Sequence, residues 1–197
     1  MPYISFLVFV VITSFTPGPN NIMAMAFANQ YGLPKTIQFC LGVGIGFLTI
    51  TGLSCFFNMV LINIMPVITF PLTIFGVVYM LFLAYKIVTM KDDDTNRHTP
   101  EEKKKNFLLL GAILQFVNPK GILFGITVVA TYILPYYSSY VSYLFFALFL
   151  GIVGIMSTFC WALFGSALKK VILQYQRPFN ICMALLLVYS AMSILVH

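Results

Sequence analysis

The stretch Phe15-Thr16-Pro17-Gly18-Pro19-Asn20-Asn21-Ile22 interrupts the first long apolar run of the chain, at residues 4–28. Proline lacks a backbone N–H and its ring clashes with the carbonyl four residues earlier, so two prolines around a glycine should open a helix. The stretch Gln115-Phe116-Val117-Asn118-Pro119-Lys120-Gly121-Ile122 interrupts a later apolar run, at residues 107–133, in a similar way. The sequence therefore predicts two broken helices, each with proline and asparagine at its break.

The composition around these breaks is that of a membrane protein. Of the 197 residues, 60% are hydrophobic and 8% are charged, whereas roughly 25% of residues are charged in soluble domains. A single soluble core of this size could not bury so much apolar surface. A cytosolic enzyme is therefore excluded, and we expect the chain not to be an enzyme.

Six apolar runs are long enough to cross a hydrocarbon core of about 30 Å. Because they are continuous rather than alternating, they predict helices and not the strands of a barrel. The expected fold is all-α, with six transmembrane helices at residues 4–28, 36–62, 67–90, 107–133, 139–166 and 179–196. The breaks between them fall at Gly32-Leu33-Pro34-Lys35, Asn63-Ile64-Met65-Pro66, the polar run 91–106, Pro135-Tyr136-Tyr137-Ser138 and Gln174-Tyr175-Gln176-Arg177-Pro178.

The basic residues predict the orientation of these helices. A net charge of +6 would suggest an acidic partner in a soluble protein, but nine of the eleven Lys and Arg residues lie in the first, third and fifth loops. Short loops rich in Lys and Arg stay in the cytoplasm. Both termini are therefore expected on the outer side, the lipid bilayer is the expected surrounding, and no nucleic-acid partner is expected.

The two halves of the chain resemble each other. Pro19 and Pro119 are 100 residues apart, and Leu83-Ala84-Tyr85 and Leu187-Val188-Tyr189 are 104 apart. With three crossings in each half, the second half would be inverted relative to the first, as in transporters with a site near the midplane. We predict a first repeat at residues 1–90, a cytoplasmic linker at 91–106 and a second repeat at 107–197; chance similarity between apolar helices is the alternative.

The broken helices are the candidate substrate site. Unwound backbone offers half-helix N-termini to a carboxylate and carbonyl oxygens to an ammonium group, and an amino acid carries both groups. Side-chain amides add neutral donors and acceptors. The candidate binding residues are Pro17, Gly18, Pro19, Asn20, Asn21, Gln115, Asn118, Pro119 and Lys120, and the candidate pathway tyrosines are Tyr79, Tyr85 and Tyr189. Two structural kinks without ligand contact are the alternative.

Lys120 is the one strongly ionisable side chain deep within an apolar run, and all five acidic residues lie in the linker. A lysine at this depth costs at least about 2.5 kcal/mol and should face the bundle interior with a partner. The sequence leaves three roles open: contact with a substrate carboxylate, pairing with carbonyls at a helix break, and snorkelling to the interface. In the first role, Lys120 and Asn118 would hold the carboxylate, while Asn20, Asn21 and the backbone near Gly18 would hold the remainder of the amino acid.

Glycine and cysteine spacing carry weaker signals. Small residues at Gly42 and Gly46, at Gly121 and Gly125, and along residues 151–157 predict close helix packing, within one chain or in a homo-oligomer. The four cysteines show no zinc spacing, so neither a metal site nor a cofactor is expected. Cys55 and Cys160 are 105 residues apart, which raises the alternative of a transmembrane thiol-disulfide electron carrier; a membrane scaffold is a third reading.

At Thr16-Pro17-Gly18-Pro19-Asn20-Asn21 the chain resembles the LysE/RhtB family of bacterial amino-acid exporters. The segments at 115–120, 160–165 and 180–189 are similar to the subgroup that exports cysteine and O-acetylserine. The resemblance implies a multi-pass protein of the bacterial inner membrane that exports small amino acids by secondary transport with alternating access. Because this chain has no intramembrane aspartate, a dibasic substrate is not expected.

Overall fold

The computed structural model describes residues 1–89 and 106–196, and all regular structure in these ranges is helical. The helices are α1 Tyr3–Phe15, α2 Pro19–Tyr31, α3 Leu33–Phe56, α4 Asn58–Thr89, α5 Phe107–Val117, α6 Pro119–Val128, α7 Tyr140–Ala167, α8 Lys169–Gln174 and α9 Gln176–Val196. A π-helical turn, Val129–Ile133, continues α6. The predicted linker lies outside the described residues except for Asn106, whose side chain accepts a hydrogen bond from the Leu109 N–H and caps α5.

Two of the expected spans are bent at the predicted positions. The axes of α1 and α2 differ by 48°, and those of α5 and the helix that follows it by 68°. Within the described residues, four further helices are long and apolar enough to cross a membrane, which makes up to six spans if each bent pair counts as one. The expectation of an all-helical protein is confirmed, and both bends fall where the sequence predicted helix breaks.

The predicted break at residues 63–66 is wrong. The chain turns instead at Phe57, whose N–H donates to the Leu53 carbonyl at 2.8 Å, and α4 continues through Pro66. The 24 residues of α3 already span about 36 Å at 1.5 Å per residue, which exceeds the thickness of the hydrocarbon core. The chain can therefore leave the membrane several residues before the apolar run ends.

The predicted breaks at residues 32–35 and 174–178 are shorter than expected. Gly32 alone separates α2 from α3 and has a φ of 80°, a conformation that glycine adopts without steric cost. Pro34 lies in the first turn of α3, where a missing N–H removes no helical hydrogen bond. Tyr175 alone separates α8 from α9, and Pro178 likewise lies near the start of α9.

The glycine positions are used for packing inside this chain. Helix α3 lies between α5 and α7. A Cβ on Gly42 or Gly111 would collide with the backbone of α5 or α3, and one on Gly44 would collide with Ile155 of α7. Close helix packing within the chain is therefore confirmed, while association between copies stays a prediction.

The other helices complete the bundle around this centre. Helix α4 pairs with α9, and α2 packs on α7. Helix α1 contacts α7 much less than α5 contacts α3, and a groove of about 560 Å³ lies between the first turns of α1 and α7. The two breaks therefore lie near the middle of the bundle, surrounded by α3, α4, α7 and α9.

Candidate functional site

The break between α1 and α2 exposes backbone carbonyls that would be hydrogen-bonded in a continuous helix. Helix α1 ends at Phe15, and α2 restarts at Pro19, which has no N–H to donate. In the apolar interior of a bundle, such carbonyls need other donors, because leaving one unpaired is costly.

Side chains supply these donors. The Asn21 amide donates to the carbonyl oxygens of Ser14 and Thr16 at 2.9 and 3.0 Å, so the third residue of α2 bonds back to the end of α1. On α7, the Ser157 hydroxyl donates to the Ser14 carbonyl at 2.5 Å.

Two further elements complete this set. The Trp161 indole on α7 donates to the Phe15 carbonyl at 3.1 Å. The Ser190 hydroxyl on α9 donates to the Pro17 carbonyl at 2.7 Å. Together with Lys120, these side chains give a hydrogen-bond donor to each carbonyl from residue 14 to residue 17.

Lys120 reaches this break from the second half of the chain. Its Nζ lies 3.1 Å from the Thr16 carbonyl oxygen, 2.8 Å from Thr16 Oγ1 and 2.9 Å from the Pro17 carbonyl oxygen. These contacts use all three N–H groups of the ammonium. Gly18 leaves room for the lysine, because a Cβ there would lie 3.0 Å from Lys120 Cδ. In this geometry Lys120 pairs with carbonyls at a helix break, which is one of the three roles that the sequence left open.

The second break is simpler. Asn118 is extended between α5 and α6, and its N–H donates to the Gln115 carbonyl at 3.2 Å. Pro119 starts α6 and packs against Gly76 of α4, where a Cβ would lie 2.7 Å from the proline ring. Asn20 links the two breaks, since its amide donates to Gln115 Oε1 at 2.6 Å.

A small, partly open cavity of about 60 Å³ lies between the two breaks. Polar groups from both halves line it, and three of their buried oxygens have no hydrogen-bond partner among the described residues: Ser14 Oγ, Asn20 Oδ1 and Asn118 Oδ1. Val43, Phe47 and Phe124 supply an apolar wall. The arrangement is a small, mixed polar and apolar chamber that can hold a compact zwitterion's charged groups if it widens.

The structure brings together most of the residues predicted from the sequence. Six of the nine candidate binding residues line the cavity: Gly18, Asn20, Asn21, Gln115, Asn118 and Lys120. The three prolines lie outside the lining and form the breaks. Tyr79 is half-buried, Tyr85 and Tyr189 are exposed, and none of the three is a lining residue.

Sequence reasoning missed the contribution of α7 to the cavity. Ser157 and Thr158 line it beside Gly154, but spacing alone identified Ser157 only as a small packing residue. A polar Ser-Thr pair in the middle of the apolar run 139–166 was the signal that could have located this wall. Thr13 and Ser14 of α1 complete the lining.

The cysteines do not form a redox pair in this structure. All four are free thiols; Cys40 and Cys55 are buried, whereas Cys160 and Cys182 are exposed. In the described ranges, no group of three His, Cys, Asp or Glu side chains could hold a metal ion.

Comparison with known proteins gives a consistent match over nearly the whole chain. The family model of the LysE type translocator matches residues 11–197. Proteins named cysteine/O-acetylserine efflux protein are 36% identical in Salmonella typhimurium and 35% identical in Escherichia coli O6:K15:H31, each over 190 residues that cover 96% of this chain and 95% of the relative. The protein of that name in Salmonella typhi is 36% identical over 191 residues. No solved structure matches the chain significantly.

Proposed function

The chain belongs to the family of LysE type translocators, and we propose that it exports cysteine, O-acetylserine or closely related neutral amino acids across the bacterial inner membrane. The export is secondary transport. The observation that carries the proposal is the cavity between the two breaks, which is lined by polar residues of both bent helix pairs. Relatives with 35–36% identity over 96% of the chain carry the name of cysteine/O-acetylserine efflux protein.

The cavity offers complementary groups to a small zwitterion. Lys120 brings a positive charge to its wall, and every acidic residue of the chain lies in residues 92–102, outside the spans. A substrate carboxylate would therefore be the counter-ion that the bundle itself lacks. The same charge disfavours lysine and arginine as substrates, because their second cationic group would meet Lys120 without a carboxylate to compensate it.

Transport requires the two halves to move. A cavity of roughly 150 Å³ binds a ligand with six heavy atoms such as benzene, and the cavity here is about 60 Å³, so a cysteine molecule needs a wider state. The loose contact between α1 and α7, and the groove between them, give the bundle one side on which it can open.

The proposed architecture for this movement is a pair of inverted repeats, residues 1–90 and 107–197, joined by the linker. The matched breaks of the first and fourth spans support it. The contacts of α3 with α7 and of α4 with α9 also support it, because each pairs the equivalent helices of the two halves. With the basic loops in the cytoplasm, both termini and the groove lie on the outer side.

A flux assay tests the proposed function. The purified chain is reconstituted in liposomes loaded with labelled cysteine, O-acetylserine or lysine, and efflux is measured. We expect saturable efflux of the first two and little efflux of lysine. Asn20→Ala, which removes a lining amide, should reduce efflux strongly, whereas Thr49→Val should not, because Thr49 donates to its own helix at Ile45. Efflux no faster than from protein-free liposomes would contradict the proposal and favour a scaffold.

A further inference from the structure

Two amide oxygens in the cavity have no donor. Asn20 Oδ1 and Asn118 Oδ1 are buried without a hydrogen-bond partner among the described residues, and their side chains are 4% and 6% exposed. Buried polar groups are nearly always paired, and an unpaired one costs about 1–3 kcal/mol. One residue from each half of the chain thus lines the same chamber and has unused acceptor capacity.

For the Asn20–Gln115 pair, the missing donor does not depend on how the two amides are oriented. Asn20 and Gln115 are joined by a single hydrogen bond. The two amides have one oxygen each, and the single hydrogen bond between them gives a donor to only one of these oxygens, whichever way each amide is oriented. One amide oxygen of this pair therefore stays available, beside that of Asn118.

The cation next to the cavity cannot serve these oxygens. The Lys120 ammonium already donates to Thr16 and Pro17 through three contacts of 2.8–3.1 Å. The Asn21 amide is likewise committed to the carbonyls of Ser14 and Thr16. No donor of the described residues reaches either oxygen in this structure, so we expect their donors to come from whatever occupies the cavity.

We propose that the amide oxygens of Asn20 and Asn118, one from each half of the chain, bind the α-ammonium group of the transported amino acid. This assignment rests on the proposed function and names the groups that select for an amine. An ammonium carries three N–H donors and a positive charge, whereas a carboxylate placed there would face only acceptors. Asn118 thus binds the ammonium end, in place of the carboxylate end expected from the sequence.

The test compares cysteine with its deaminated analogue, 3-mercaptopropionate, as competitors of labelled O-acetylserine efflux from proteoliposomes. In the unmodified chain, cysteine should compete at least about 100-fold better, since two hydrogen bonds to a charged group contribute about 1.5–3 kcal/mol each and each 1.4 kcal/mol is tenfold. In Asn20→Leu and Asn118→Leu, which keep the side-chain size, this ratio should fall to about tenfold or less. The matched control Thr49→Val should keep the original ratio.

Two outcomes separate this inference from the proposed function. If the unmodified chain catalyses no efflux, the proposed function fails. If it does and the ratio is unchanged in both leucine variants, only the ammonium assignment fails. Asn118→Asp covers the case in which the leucine variants do not fold, because a carboxylate keeps the acceptor and adds a negative charge. The ratio by which cysteine competes better than 3-mercaptopropionate should then rise. A ratio equal to or below that of the unmodified chain overturns the assignment.

Discussion

The break in the first span is held by side chains from α2 and from three helices of the second half, whereas the break in the fourth span is held by a turn of its own backbone. Asn21, Lys120, Ser190 and two residues of α7 donate to the carbonyls of residues 14–17. Between described residues, no side chain donates to a carbonyl of residues 114–118; the Asn118 N–H bonds Gln115 instead. The less supported break is also the more sharply bent, at 68° against 48°.

A side chain next to each break also forms hydrogen bonds with residues at the other break, and the two side chains differ in charge. Asn20 follows Pro19 and bonds Gln115 at the end of α5. Lys120 follows Pro119 and bonds Thr16 and Pro17 at the end of α1. The first break is thus tied by a cation, whereas, between described residues, the backbone carbonyls of the second receive no side-chain hydrogen bond. The bonds of Asn20 and Lys120 couple the two breaks.

The largest effect is expected from removing the cation that ties the first break. Lys120→Met deprives the Thr16 and Pro17 carbonyls of a charged donor, and we expect export to fall by about 100-fold, since such bonds contribute about 1.5–3 kcal/mol each. Initial efflux rates from proteoliposomes measure this. Lys35→Met is the matched control: Lys35 Nζ lies 5.7 Å from the centroid of the Tyr31 ring and 5.8 Å from that of Phe107, and losing these contacts should change export by about fivefold at most. Equal rates in the two variants would contradict the role of Lys120.

A smaller effect is expected from crowding the same cation. In Gly18→Ala, the added Cβ would lie 3.0 Å from Lys120 Cδ and 3.3 Å from its Nζ. Overpacking of this kind costs about 1–3 kcal/mol, so we expect export to fall about tenfold. In Gly52→Ala, the added Cβ meets nothing within 4 Å, and export should stay within about twofold. A Gly18 variant as active as the Gly52 variant would show that the path of the lysine is not constrained.

Weakening the neutral support of the first break should mainly affect stability. Ser190→Ala removes the hydroxyl that donates to Pro17 at 2.7 Å, which should lower the free energy of unfolding by about 1 kcal/mol. Thermal unfolding in detergent measures the shift. Ser142→Ala, at the rim of the groove between α1 and α7, should leave the melting temperature within the error of the measurement. A Ser190 variant as stable as the unmodified chain would argue that this carbonyl needs no side-chain donor.

The smallest effect is expected from removing every thiol. With the four cysteines replaced by alanine, an exporter should retain its flux within about threefold, because burial of Cys40 and Cys55 contributes packing alone. A thiol-disulfide carrier would lose all activity. Loss of efflux in a variant that still folds would support the alternative hypothesis of a thiol-disulfide carrier.

Local chemistry explains which features could be predicted from the sequence. Proline next to asparagine or glycine located the two breaks, at Pro17 and Pro119, whereas Pro66 lies inside α4 without a break. A lysine in an apolar run had to face inward. The turn at Phe57 was not predictable from composition, because residues 57–62 are as apolar as the helix before them. What decides that turn is membrane thickness and packing, which a single run of residues does not encode.

The partners of the freed carbonyls were equally beyond sequence reasoning. Ser157, Trp161 and Ser190 lie 136 to 173 residues from their acceptors, and only the tertiary arrangement of α7 and α9 brings them to the break. The unpaired oxygens of Asn20 and Asn118 could be identified only after every competing donor was placed.

The central claim, that the chamber between the two breaks holds the transported amino acid, is tested most directly by substrate protection. Thr158 lines the chamber, and its hydroxyl bonds its own helix, so Thr158→Cys in the cysteine-free chain places a single thiol in the wall. Tyr136→Cys, at an exposed position in the turn before α7, is the control. Saturating O-acetylserine should slow maleimide labelling of the Thr158→Cys thiol several-fold and leave the Tyr136→Cys thiol unaffected. Equal labelling of the Thr158→Cys thiol with and without O-acetylserine would contradict the account.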